Sequence, residues 1–272
     1  GVTYRLLINA ADRADNNLSI ILSDSVTYDI TPPDFLDIAP DAGSYVNSAV
    51  LQFTNLEKLS TASVKWERIG GEEDKGSPHV IDVPDDYYGI GPQETSSIIT
   101  PNLINGSIYR LTLSGRDLAG NLAGVVYHNM HFDIEPPVLD IIYPTEQPEV
   151  NNTDVGYELS EQLGNATFTY TWLSGPEDTG SPHSINLDQR NLLEGTTNRY
   201  SLSPAPFLID GASYKIEFSG NDRAGNIGNV VIRESVLYDI TKPIITMMIP
   251  EPDKVIIGQE ISYSISENLE EG

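Results

Sequence analysis

The sequence contains no cysteine, which excludes disulfide staples and thiolate metal sites. Basic residues are scarce: 15 Lys and Arg stand against 40 Asp and Glu, for a formal net charge of −25. That balance cannot neutralise a phosphate backbone, and it gives an anionic bilayer nothing to attract. No run approaches the roughly 18 consecutive apolar residues that a membrane-spanning helix needs. The first residues, GVTYRLLINA, lack the basic stretch and long apolar core of a secretory leader, so export would depend on a signal outside this segment. Helical periodicity is missing throughout. Also missing are a Gly-x-Ser-x-Gly elbow, a His-Glu-x-x-His pair and a phosphate-cradling glycine loop. These absences argue against an enzyme. A glycosidase reading of the many carboxylates would need a cleft that nothing here suggests.

What the chain does have is repetition. YRLLINAADRADNNLSIILSDSVTYDITPP begins at Tyr4, YRLTLSGRDLAGNLAGVVYHNMHFDIEPP at Tyr109 and YKIEFSGNDRAGNIGNVVIRESVLYDITKP at Tyr214, at intervals of 105 residues. A fixed period of this kind marks one folded unit copied in series. Proline-bearing joints punctuate the copies: Thr31-Pro32-Pro33, Glu135-Pro136-Pro137 and Lys242-Pro243. Proline cannot donate to a β-ladder, so the joints set the boundaries. Residues 34–137 and 138–243 are two complete copies, 1–33 the last part of a preceding copy, and 244–272 the start of a further one.

Within a copy the signal is short alternating strands. Tyr214, Ile216 and Phe218 face one way and Lys215, Glu217 and Ser219 the other; Tyr109, Leu111 and Leu113 alternate with Arg110, Thr112 and Ser114 in the same manner. Trp66 in SVKWER and Trp172 in TFTYTWL mark one central strand per copy. The turns Ile104-Asn105-Gly106 and Ile209-Asp210-Gly211 precede the strands that carry Tyr109 and Tyr214. A Trp on a central strand and a Tyr just after such a turn resemble an immunoglobulin-like β-sandwich with a tyrosine corner. The fold class expected is therefore all-β, tandem immunoglobulin-like sandwiches. Trp66 and Trp172 would lie on strand C, Tyr109 and Tyr214 on strand F, and HNMHFD and ESVLYD at the end of strand G.

The runs Asp117-Leu118-Ala119-Gly120-Asn121 and Asp222-Arg223-Ala224-Gly225-Asn226, each followed by a strand and an Asp-Ile-x-x-Pro joint, resemble bacterial Ig-like tandem repeats of large cell-surface and adhesin-type proteins. The likeness covers nearly the whole chain. It implies an extracellular or cell-surface setting and a structural task, spacing a head domain from a surface or building a fibre. Ala14-Asp15-Asn16 departs from the Ala-Gly-Asn pattern, so that turn is expected to differ.

In each run the glycine and asparagine would supply positive φ to a hairpin between strands F and G, with the aspartate accepting backbone N–H bonds. In such a sandwich the B–C and F–G loops lie beside the incoming linker. Asp133, Glu135, Glu161, Asp222 and Asn226 would meet at one joint. Asp29, Asp117 and Asn121 would meet at the preceding one, with Asn55 in the place of Glu161 and Glu57 two residues on. The last joint offers Asp239 and Glu267. Calcium takes six to eight oxygen ligands and accepts such a mixture. A bound ion would relieve the repulsion of clustered carboxylates and stiffen a short hinge; prolines alone are the calcium-free alternative.

Gly76-Ser77-Pro78-His79 and Gly180-Ser181-Pro182-His183 recur after acidic runs and suggest exposed Ser-Pro turns rather than metal sites, since one imidazole without a partner binds weakly. His128 and His131, three apart on a strand, should face opposite sides. Sequons at Asn17, Asn105, Asn151 and Asn165 permit glycosylation in a suitable host. The expected partners are neighbouring repeats of the same or adjacent chains. Two alternatives stay open. One is a head-to-tail filament, although the two end pieces together make only 62 residues and lack the Trp strand. The other is a module for polysaccharides or cell-surface glycans, for which Tyr87-Tyr88 is the available loop aromatic pair.

Overall fold

The computed structural model describes residues 1–95, 101–146, 148–249, 253, 255 and 257–267. The chain divides into two compact units, Gly1–Pro136 with Asn221–Ile227, and Pro137–Gly220 with Gly228–Gly272. Part of the 244–272 piece lies outside the described residues.

The first unit holds β1 (Val2–Ala11), β2 (Asn17–Tyr28), β3 (Phe35–Ala39), β4 (Tyr45–Val46), β5 (Gln52–Asn55), β6 (Leu59–Gly71), β7 (His79–Asp82), β8 (Gly91–Glu94), β9 (Ser107–Asp117) and β10 (Leu122–Phe132). β3 to β10 form a sandwich of two sheets, ordered β3-β5-β8 and β4-β10-β9-β6-β7. Alternation drives it: Ser107, Tyr109, Leu111 and Leu113 of β9 are buried while the residues between them are not. They face Ala62, Val64 and Trp66 of β6, Met130 of β10, and Leu51 and Phe53 on the opposite side of the core. β4 runs parallel to the end of β10, and the other pairings are antiparallel. This is an immunoglobulin-like β-sandwich with Trp66 on strand C (β6), Tyr109 on strand F (β9) and HNMHF closing strand G (β10).

The second unit repeats the pattern with β11 (Leu139–Tyr143), β12 (Glu149–Val150), β13 (Asp154–Leu159), β14 (Leu163–Ser174), β15 (His183–Asn186), β16 (Gly195–Ser201), β17 (Ala212–Asp222) and β18 (Val231–Tyr238). Its sheets are ordered β11-β13-β16 and β12-β18-β17-β14-β15. A final pair, β19 (Ile245–Ile249) and β20 (Ser262–Ile265), is antiparallel.

The expectation that Trp66 and Trp172 mark equivalent places on strand C fails in the second sandwich. Trp66 pairs with His79 across the sheet, and the residue that pairs with His183 is Tyr170. Likewise Arg68 and Trp172 occupy one position, each donating its backbone N–H to a serine Oγ (Ser77 or Ser181) at 2.7 Å. Trp172 therefore lies half-buried at the end of the strand, its Nε1 donating to the Pro176 carbonyl at 3.0 Å. The second core is centred on Tyr157, Phe168 and Phe218, with the two phenylalanine rings stacked 4.3 Å apart. Phenyl rings on strands C and F supply the bulk that Trp66 alone brings to the first core.

A bulge overturns the expectation for the two histidines of HNMH. The register shifts between Tyr127 and Met130, and Asn129 takes φ 60°. The extra residue breaks strict alternation. His131 stacks on Tyr45 at 4.4 Å across β10 and β4, while His128 is exposed. Burial, with Arg223 nearby, holds the His131 imidazole below its ordinary pKa.

Residues 1–33 form the β1–β2 hairpin, in which Tyr4, Leu6 and Ile8 are exposed. The turn does not differ as its sequence suggested. Asp12 N–H donates to the Asn16 carbonyl at 3.1 Å and Asp12 Oδ1 accepts Asn16 N–H at 2.9 Å. Asp15 takes the left-handed conformation, φ 62°, at the place held by Gly120 and Gly225 elsewhere. Aspartate is among the few residues with a side chain that tolerate it.

Two buried polar atoms at one structural position, Trp66 Nε1 and Tyr170 hydroxyl, have no hydrogen-bond partner. An unpaired buried hydroxyl costs more than a matching apolar surface. Tyr170→Phe should therefore raise the stability of the second sandwich by about 1 kcal/mol in urea unfolding. A loss of stability would show that the hydroxyl is bonded, through an ordered water, in solution.

Candidate cation site and linker clasps

The strand F to strand G turn carries the site. Asp117 N–H donates to the Asn121 carbonyl and Gly120 N–H to the Asp117 carbonyl, closing a turn that Gly120 permits with φ +92°. Only the glycine supplies positive φ; Asn121 and Asn226 do not, contrary to expectation. Their amides do something else. Asn121 Nδ2 donates to Asp117 Oδ2 at 2.7 Å and reaches out to the carbonyls of Asp29 at 3.1 Å and Thr31 at 3.3 Å. The incoming linker, which has no β-ladder, thus finds donors for two of its carbonyls. The second run repeats this: Asn226 Nδ2 donates to Asp222 Oδ2 at 2.7 Å and to the Asp133 carbonyl at 2.9 Å.

Carboxylates gather beside the first clasp. One oxygen each from Asp29, Glu57 and Asp117 lie within 4.8 Å of one another. Thr27, Asp29, Glu57, Lys58 and Asp117 line a cleft of about 340 Å³ here. Burial works to raise the Asp117 pKa, but hydrogen bonds from Asn121, Gly120 and Ala119 outweigh it and hold the carboxyl below its usual range. Glu57 moves the other way, raised by burial and then by the negative charges of Asp117 and Asp29. The sequence placed Asn55 at this position. Asn55 instead turns inward, its Nδ2 donating to the carbonyls of Tyr87 and Gly89 at 2.9 Å each, and Glu57 is the acidic member. In the sequence of the next copy the corresponding positions are Asp133, Glu161 and Asp222.

Glu135 does not join that set. Its Oε2 accepts from Asn105 Nδ2 at 3.3 Å. At the last joint, Asp239 Oδ1 accepts Thr241 N–H, and Glu267 Oε1 is buried without a partner. Among the described residues no third carboxylate joins those two.

A second clasp, which the sequence reading missed, holds each linker from the preceding sandwich. Asn105 Oδ1 accepts Ile134 N–H at 2.8 Å. Asp210 Oδ1 accepts Ile240 N–H at 2.8 Å, and its Oδ2 accepts the Thr241 hydroxyl at 2.7 Å. The linker aspartates add their own turns, Asp29, Asp133 and Asp239 each accepting the N–H two residues on.

The Gly-Ser-Pro-His segments are not free turns. In the first copy, Tyr109 hydroxyl accepts Ile104 N–H at 2.9 Å and donates to Asp74 Oδ2 at 2.8 Å. His79 Nε2 meets the same oxygen at 2.7 Å, and Asp74 Oδ1 accepts Gly76 N–H. The second copy matches with Tyr214, Ile209, Asp178, His183 and Gly180. The histidine has a partner after all, a buried carboxylate five residues before it. That Asp-x-Gly-Ser-Pro-His spacing recurs in both copies and was the readable signal. It ties the loop after strand C to the tyrosine corner on strand F. Tyr87 and Tyr88 are partly buried against the core, and the Tyr88 hydroxyl donates to the Val83 carbonyl.

For Asp74 and Asp178, burial favours a raised pKa, yet bonds from the histidine, the tyrosine and the glycine N–H prevail and lower it. A lowered folded-state pKa stabilises the fold fully above the unfolded carboxylate value of about 4 and loses that stability as pH falls through the lower value. Urea midpoints at about pH 5, 4 and 3 should therefore fall, and Asp178→Asn should flatten the slope. Tyr214→Phe, which leaves Ile209 N–H without its acceptor and removes one of the three bonds to Asp178, should cost about 2 kcal/mol.

No protein-family model matches the chain, and no curated protein matches it. Among solved structures it is similar to the chicken CNTN1 FN1-FN3 domains, with 12% identity and a TM-score of 0.42 over 86% of this chain and 76% of that one. Dimeric latent PorU from Porphyromonas gingivalis aligns with 86% of this chain and 24% of its own length, at 12% identity and a TM-score of 0.27. Salmonella alpha-2-macroglobulin reacted with methylamine aligns with 90% of this chain and 19% of its own, at 8% identity and a TM-score of 0.26.

Proposed function

We propose that this chain is an extender segment of an extracellular repeat protein, an adhesin-type stalk whose acidic joints take calcium. The observation that carries the reading is the clasp of Asn121, which ties the Asp117 carboxylate to the carbonyls of Asp29 and Thr31 and recurs as Asn226 with Asp222 and Asp133. Side chains spent on holding a linker serve the spacing of copies rather than the capture of a substrate. The polar groups with repeated partners serve turns, loops and linkers, which fits a non-enzymatic task. No helix among the described residues is long and apolar enough to cross a membrane.

Calcium suits the acidic set for three reasons. Its carboxylate oxygens already converge within 4.8 Å. The Glu57 pKa is raised first by burial and then by the charges of Asp117 and Asp29, and a cation would relieve that second, repulsive part. The neighbouring linker carbonyls are hard oxygen donors of the kind the ion accepts. Lys58, which lines the first cleft, would compete with the ion there.

The test is thermal melting of the segment in millimolar calcium and in EDTA, with magnesium as control. Calcium bound to the folded state alone, at a hundred times its dissociation constant, adds about 2.7 kcal/mol. A calcium-specific rise that Asp117→Asn and Asp222→Asn together abolish supports the ion-locked joint. Coincident melting curves would remove calcium from the reading and leave the amide clasps and prolines to hold the linkers.

A further inference from the structure

The chain contains a single Asn-Gly dipeptide, Asn105-Gly106. It lies in the turn before strand F in which Ser107 N–H donates to the Ile104 carbonyl and Gly106 takes φ +75°. A glycine after asparagine leaves the backbone nitrogen open to approach by the side chain, because no Cβ stands in the way. Asparagine is one of the thermally labile side chains. In this fold both reacting groups are engaged in hydrogen bonds. Gly106 N–H donates to the Phe132 carbonyl at 2.9 Å, and the Asn105 amide accepts Ile134 N–H through Oδ1 while donating to Glu135 through Nδ2.

We infer that Asn105 is a spontaneous deamidation site gated by release of the outgoing linker. When residues 132–135 detach, Gly106 N–H loses its acceptor and the Asn105 side chain is free to rotate. The Gly106 nitrogen gives up its proton to solvent base and attacks Asn105 Cγ. The bond to Nδ2 breaks, ammonia leaves, and a five-membered succinimide remains. Water then opens the ring at either carbonyl, giving aspartate or its β-linked isomer with no change of oxidation state. The water and base come from solvent.

The second copy shows what the product needs. Asp210-Gly211 already stands at this position, and its carboxylate is satisfied by Ile240 N–H together with the Thr241 hydroxyl. The first copy has Glu135 where the second has Thr241. A carboxylate at position 105 would accept from Ile134 as before, but it would exchange a hydrogen bond to Glu135 for repulsion. The reaction would convert a reversible opening of the linker into a lasting one. The second copy, with aspartate already in place and Thr241 to bond it, has no side-chain amide to lose.

Two measurements test this. Peptide mapping by mass spectrometry, after incubation at one mildly alkaline pH, compares the native protein with protein unfolded in urea. Conversion at Asn105 should be at least ~10-fold slower in the native sample, since it must wait for local opening. Separately, limited proteolysis across residues 133–137 compares N105D with the double variant N105D/E135T. The single variant should be cut several-fold faster than the parent, and the double variant, which copies the Asp210–Thr241 pair, should return to the parental rate. Equal conversion in native and unfolded protein overturns the gating, and an N105D variant cut no faster than the parent overturns the consequence.

Discussion

A linker between β-sandwiches has no ladder of its own, and its N–H and C=O groups still require partners. Most of the recurring polar chemistry in this chain answers that requirement. Prolines remove some of the donors outright. Asn121 and Asn226 supply donors to the linker carbonyls, while Asn105 and Asp210 accept the linker N–H groups. Each linker aspartate folds back on the N–H two residues ahead. The F–G turn is shaped to present an amide on one side and a buried carboxylate on the other. Acidity at the joint follows from this geometry, because the carboxylate that fixes the asparagine lies beside the linker aspartate and the B–C loop glutamate.

The sandwiches add a second fixed point. Tyr109 and Tyr214 close their corners in the way an isolated corner would, by accepting a backbone N–H five residues upstream. Their hydroxyl protons then go to Asp74 and Asp178, which also hold the histidine and the turn of the neighbouring loop. A corner and a loop from different parts of the sandwich thus share one carboxylate oxygen. The E–F turn that grips the outgoing linker begins at the residue whose N–H this tyrosine accepts, so the carboxylate, the corner and the linker grip form a continuous chain of bonds.

Much of this was legible in the sequence, because periodicity and turn chemistry are local. The sandwich class, the strands bearing Tyr109 and Tyr214, and the F–G turns followed from alternation and from Asp-x-Ala-Gly-Asn. The gathering of Asp29 with Asp117 followed from topology. Other features depended on register. Two residues of slack in the alignment made Trp172 the counterpart of Trp66 and Asn55 the counterpart of Glu161, where strand pairing selects Tyr170 and Glu57. The bulge at Asn129 has no sequence signature of comparable strength, so the facing of His128 and His131 was misjudged. Asp74 was visible but submerged in an acidic run, where composition hides a single carboxylate that is buried among many that are solvated.

The exchange of Trp66 for Tyr170 has company across the core: Phe53 and Leu113 of the first sandwich stand where Tyr157 and Phe218 stand in the second. Large and small are distributed differently over the same scaffold, so each set of strands fills its own interior. A hybrid that borrowed strand C from one copy and strand F from the other would set Val64 against Phe218, or Phe168 against Leu113, in place of the Val64–Leu113 and Phe168–Phe218 pairs. Either combination mixes a large side chain with a small one at a contact where each copy matches like with like, which leaves a void in one interior or overfills the other. Copies held on one chain at high mutual concentration are prone to exchange strands during folding. Divergent interiors of this kind work against such exchange, because a borrowed strand brings side chains cut to another core.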